Sequence, residues 1–128
     1  MTAARKSSPP STAKTGRASS TPSPTSHQHL AHQVVSYGFG EVYARPGLTH
    51  AQRQLVTLGM LTALGGCEPQ VEVHVNASLN VGLTPTEIVE AITHTAVYCG
   101  FPKALNAIFV AKRVFAERDL LPVNAPAA

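Results

Sequence analysis

The sequence predicts an all-α protein, and three observations carry that prediction. From Thr49 onward apolar residues recur at three- and four-residue intervals. Capping residues and glycines punctuate these runs at helix-like lengths. No stretch shows the strict alternation of a half-buried strand. The reading is a helical domain over residues 27–119, with a disordered tail, residues 1–26, before it and a C-terminal tail, residues 120–128, after it. At 128 residues the chain is long enough for one domain and too short for two of ordinary size.

Residues 1–26 hold seven Ser, five Thr and four Pro, with no acidic residue and no Val, Ile, Leu or Phe. Such a segment cannot bury enough apolar surface to offset chain entropy, which is why a disordered tail is expected. From His27 the composition changes, and HLAHQVVSYGFG forms a short helix expected to end near Gly38 or Gly40. Pro46 and Gly47 then mark a turn, which places Glu41, Tyr43 and Arg45 on an irregular or single-turn segment. Thr49 and Gln52 match a capping box that opens a helix running to Gly65 and Gly66. Its apolar residues occupy nearly every side, so it is expected to be buried all round.

The stretch from Cys67 to Gly82 reads as one helix, with Val71, Val75, Ser78 and Leu79 on one face and His74 on the same side. Thr84, Pro85 and Glu87 supply an N-cap, a first-turn proline and the capping-box acid of the next helix, which Gly100 stops. The last helix is expected to begin at Pro102 with a stripe of Leu105, Ile108, Phe109, Lys112 and Phe115, and Arg113 and Arg118 suit its C-terminal dipole. About 95 residues with one helix apolar on all faces cover themselves poorly as a monomer, which favours a homo-oligomer.

The net charge of +3 comes from the N-terminal tail, because Arg5, Lys6, Lys14 and Arg17 all lie there. Six basic and seven acidic side chains remain in the rest of the chain. A domain near neutrality offers no electrostatic footprint for nucleic acid or an anionic membrane, so neither is expected as a partner. The acid-free, hydroxyl-rich N-terminus has the composition of a transit peptide but lacks the apolar stripe of an amphipathic helix, so a simple tail is the preferred reading. No apolar run approaches the roughly 20 residues of a membrane span. The expected location is the cytoplasm, where Cys67 and Cys99 would be thiols.

Cys67, Gln70 and His74 have C-x-x-Q-x-x-x-H spacing, one cysteine short of a thiol redox helix. His27, His29 and His32 make only a weak metal pattern at the edge of the tail, so no metal is expected.

The run GFGEVYARPGL, then Arg53 opening a buried helix, then EPQVEVHVNASLNVGLTPTEI and AVYCGFPKALNA, resembles the carboxymuconolactone decarboxylase family over about residues 36–117. The resemblance implies the helical fold shared with the alkylhydroperoxidase D group, trimeric or hexameric assembly, and sites near subunit contacts. It also implies cofactor-free decarboxylation of a small carboxylated lactone, as with 4-carboxymuconolactone in protocatechuate catabolism.

Such chemistry requires cations for the carboxylates, stabilisation of an enolate and a proton donor to carbon. His74 is the expected donor, and Glu41 is the candidate to orient it and raise its pKa. Arg45 and Arg53 are candidate carboxylate ligands, and Tyr98 a candidate donor to an enolate oxygen. Arg53 could equally pair structurally, and a Tyr at a helix end is more often a core residue with its hydroxyl at the surface.

Two alternatives stand beside this reading. One is a thiol peroxidase that uses Cys67, although the second cysteine position is Gln70 and the upstream acid position lies near Leu55. The other is a non-catalytic helical oligomer that binds a small ligand.

Overall fold

The computed structural model describes Ala4 and residues 26–124. The tail expected over residues 1–26 therefore lies outside the described residues, except at Ala4 and Ser26. The described residues form helices and no strand: α1 (Ser26–Gln33), a π-helix (Val34–Val42), α2 (His50–Leu64), α3 (Glu68–Asn80), α4 (Pro85–Cys99) and α5 (Phe101–Glu117). The all-α reading is what the structure shows.

Local chemistry sets most boundaries. Thr49 and Gln52 exchange side-chain and backbone hydrogen bonds at the start of α2, and Thr84 and Glu87 do the same at the start of α4. Gly65 ends α2 at φ +71°, a conformation that a β-carbon disfavours. Beside it Lys103 Nζ donates to the Ala63 carbonyl at 3.0 Å, placing a cation at the helix C-terminus.

Helices α2 to α5 pack as one body, in which α2 meets α3, α4 and α5. Leu58, Val75, Ile88, Ile92, Val114 and Phe115 are essentially sealed from solvent at its centre. Three buried polar side chains are satisfied within their own helices. Thr62, Ser78 and Thr95 each donate to the carbonyl four residues back, at 2.7, 2.6 and 3.1 Å. Val123 packs against the core from the segment after α5, and Thr86 Oγ1 donates to the Asn124 carbonyl at 2.9 Å.

Three expectations need correction. The first helical stretch does not stop at Gly38 or Gly40 but continues as a π-helix to Val42, so Glu41 is helical and Tyr43 caps the end. Neither glycine takes the positive φ that would end a helix. Helix α2 is not buried all round, since Val56, Met60 and Leu64 are at least half exposed. On α5 the core face is Ala104, Ala107, Val110, Ala111, Val114 and Phe115, while Leu105 and Phe109 of the expected stripe are exposed. Alanines let α5 approach its neighbours closely, and the bulkier side chains fall to the outside. Arg113 pairs with Glu72 of α3 at 2.9 Å, and Arg118 donates to Asn80 at 2.6 Å, so these cations tie α5 to α3.

Candidate active site

His74 lies midway along α3 at the edge of its buried face. Val71 and Val75 point into the core, and the imidazole, on the flank of that face, is half-buried. Its Nδ1 lies 2.9 Å from Oε1 of Gln54, a buried residue of α2. An amide oxygen only accepts, so Nδ1 is the donor. Tyr43 stacks near the ring with centroids 6.4 Å apart and an interplanar angle of 26°, and Phe39 lies 5.2 Å beyond Tyr43.

Between the π-helix and the body lies an open groove of about 460 Å³, whose lining includes Val34, Tyr37, Phe39, Tyr43, Thr57 and His74, the first three of them exposed. Its size suits a small organic ligand. Burial pushes the His74 imidazole below its ordinary pKa of 6.5.

A hydrogen-bonded wall bounds this cavity. Thr57 Oγ1 gives its one proton to the Arg53 carbonyl at 2.9 Å, so the Tyr43 hydroxyl donates to Thr57 Oγ1. Beyond the pair lies a smaller cavity of about 220 Å³, lined in part by Val42, Leu48, Arg53 and Met60. Arg53 Nη2 donates to the Arg45 carbonyl at 3.0 Å, and its Nε is buried with no hydrogen-bond partner.

Of the residues singled out by sequence, the structure brings His74 and Arg53 to either side of the Tyr43–Thr57 wall. Glu41 and Arg45 are exposed, and the side chain that meets His74 Nδ1 is Gln54 rather than Glu41. Because that partner is an amide, nothing offsets burial, and the expected rise in the His74 pKa becomes a fall. Tyr98 is 82% exposed, beside His94 on α4 and outside the lining of the His74 cavity. Cys67 and Cys99 are half-buried free thiols that donate to the Gly65 and Thr95 carbonyls at 3.5 and 3.0 Å. Among the described residues no three His, Cys, Asp or Glu side chains group as metal ligands, and no helix is long and apolar enough to cross a membrane.

Sequence reasoning missed Gln54, Thr57 and the aromatic pair Phe39 and Tyr43 as parts of the site. The available signal was Arg53 and Thr57 four residues apart on one face of α2.

The profile of the carboxymuconolactone decarboxylase family matches residues 28–113. The chain belongs to this family. It is 35% identical over 96 residues to the 4-carboxymuconolactone decarboxylase of Acinetobacter baylyi, an alignment covering 75% of this chain and 71% of that protein. It is 38% identical over 82 residues to a nitrosuccinic acid decarboxylase of Metarhizium robertsii, covering 62% of this chain and 55% of that one. An uncharacterized 15.0 kDa protein of Paracoccus denitrificans is 37% identical over 87 residues, covering 67% and 65%. The chain thus spans between about half and three quarters of these relatives. The two with named activities are both decarboxylases, which supports a decarboxylase-family function.

Proposed function

We propose that the protein is a cofactor-free carboxy-lyase acting on a small carboxylated lactone or related compound, as in 4-carboxymuconolactone decarboxylation in protocatechuate catabolism. The observation that carries this reading is His74, anchored through Nδ1 and lining an aromatic-walled cavity of about 460 Å³. When the carbon–carboxylate bond breaks, its electron pair passes into a conjugated carbonyl as an enolate. The His74 imidazolium then gives a proton to carbon through Nε2, the nitrogen Gln54 leaves free, and recovers a proton from solvent.

The lowered pKa of His74 suits this role, because a bound carboxylate raises it and charges the ring when substrate is present. Arg53 lines the adjoining smaller cavity, so it serves as carboxylate ligand only to a substrate that reaches past the Tyr43–Thr57 wall. Arg45 and Glu41 stand exposed outside the lining of the His74 cavity and serve the site only where ligand or a second subunit meets them. Tyr98 serves the site only if assembly brings it there.

The same reading takes the protein as a homo-oligomer, a trimer or hexamer. Leu64, Val97, Tyr98, Phe101 and Phe109 are all exposed in the single chain. Light scattering on the purified chain tests the assembly.

The test of activity is carbon dioxide release from 4-carboxymuconolactone and a panel of related carboxylated lactones, with His74→Ala as the control. Release that depends on His74 is expected. A panel with no release, or release unchanged in the variant, would overturn the reading.

A further inference from the structure

Four polar side chains are buried among the described residues, and three bond back to their own helices. Gln54 alone crosses to another helix, and its partner is the imidazole of His74. The sequence places a buried amide, 4% exposed, in the second turn of α2 for that contact. An unpaired amide there would be costly, so the pair constrains both partners.

We propose that Gln54 is a positioning residue: its side-chain carbonyl holds His74 as the Nδ1–H tautomer and presents Nε2 to the cavity as the proton-exchanging nitrogen. The inference deepens the proposed decarboxylase and rests on it for the substrate, while the tautomer itself is a property of the free protein. Imidazole in water favours the Nε2–H form only slightly, and one hydrogen bond is enough to invert the preference.

The surroundings explain why an amide fits this place. The α3 carboxylate nearest in sequence, Glu72, is paired with Arg113 of α5. The titratable groups that line the cavity with His74 are Tyr37 and Tyr43 from the π-helix. On α2, Gln54 and Thr57 are neutral, and Arg53 turns its guanidinium toward the Arg45 carbonyl. A carboxylate at position 54 would orient the ring equally well and make it a stronger base. It would also place a fixed negative charge beside a cavity that has to receive a carboxylated substrate. Gln54 orients without repelling, and the protonation of His74 is left to the ligand.

The experiment is nitrogen-15 NMR of the His74 ring across a pH titration, on the full chain, for wild type, Gln54→Glu and Gln54→Leu. Carboxylactone turnover is measured in parallel. In wild type the neutral ring is expected to show a protonated Nδ1 and a bare Nε2. Gln54→Leu should revert to the Nε2–H form and lose about tenfold in turnover, the fold-change of one lost hydrogen bond. Gln54→Glu should keep the tautomer, raise the titration midpoint, and carry the alkaline limb of kcat/KM upward by the same amount.

A bare Nδ1 in wild type would overturn the proposal, as would turnover in Gln54→Leu that matches wild type after its tautomer has changed. Should Gln54→Leu fail to fold, the Gln54→Glu titration decides: an unmoved midpoint overturns the proposal. If no carboxylactone is turned over at all, the substrate reading fails while the tautomer result stands by itself.

Discussion

Two histidine–tyrosine pairs among the described residues differ in every respect but composition. His74 and Tyr43 come from different elements, meet at 26° with centroids 6.4 Å apart, and are half-buried, each with a hydrogen-bond partner on α2. His94 and Tyr98 sit one turn apart on α4, 5.7 Å and 54° to each other, both exposed. The second pair even borders the larger space: His94 lines a groove of about 630 Å³ between α2 and α4, with Met60 and Glu90 at its sides. Volume and residue type therefore do not distinguish a site here. Burial and anchoring do, because a proton donor works only when its orientation is fixed and water is thinned around it.

The sharpest way to break this comparison is to remove each histidine in turn. His74→Ala should lower carboxylactone turnover by about 10²–10⁴-fold, the ordinary contribution of a general acid. His94→Ala should stay within about twofold of wild type, a change smaller than ~0.5 kcal/mol. Equal losses in the two variants would erase the distinction drawn between the pairs.

The parts of this architecture that could be read from sequence are those fixed by near neighbours. The capping boxes at Thr49–Gln52 and Thr84–Glu87 span three residues and are written locally, and both are present in the structure. His74 was readable as inward-facing because Val71 and Val75 define the face it borders. Its partner was not, since Gln54 lies 20 residues earlier and only the packing of α2 on α3 brings them together. The α5 stripe failed for another reason. Periodicity alone fits a bulky face and an alanine face equally well, and the choice depends on how closely the neighbouring helices approach. The continuation past Gly38 and Gly40 was hidden because it is π-helical, which the usual stop signals do not anticipate.

The tyrosines sharpen the comparison on the scale of stability. Tyr43→Phe removes the donor to Thr57 and should cost about 1 kcal/mol in urea unfolding. Tyr98→Phe removes a hydroxyl from an exposed ring and should stay within ~0.5 kcal/mol. A Tyr43→Phe protein as stable as wild type would show that the wall between the two cavities holds without its hydrogen bond.

Smaller still is the pH dependence that His74 contributes. Burial lowers its folded pKa below 6.5, so the unfolded chain binds more protons as pH falls through that range. The contribution of His74 to stability is complete above its unfolded pKa and is lost as pH drops toward the folded one. Turnover per molecule should run the other way, with kcat/KM falling as pH rises through the folded pKa, because the donor form is the imidazolium. Unfolding midpoints at several pH values, for wild type and His74→Asn, isolate the first limb. A wild-type slope no steeper than that of His74→Asn would mean that burial does not act on this ring.

Cys67 extends the comparison to a group that is anchored but has no room. Its thiol is half-buried and donates to the Gly65 carbonyl, yet the space it lines is only about 10 Å³, scarcely one water. A thiol that reduces hydroperoxides needs access for the peroxide and a second thiol to resolve the product. Position 70, where a C-x-x-C pair would place that thiol, is Gln70. Cys67→Ser should therefore leave carboxylactone turnover unchanged, and wild type should consume peroxide in the presence of a dithiol no faster than the variant. Peroxide consumption that depends on Cys67 would move the chemistry from the His74 cavity to the start of α3, and the anchored histidine would then be a structural feature of the core edge.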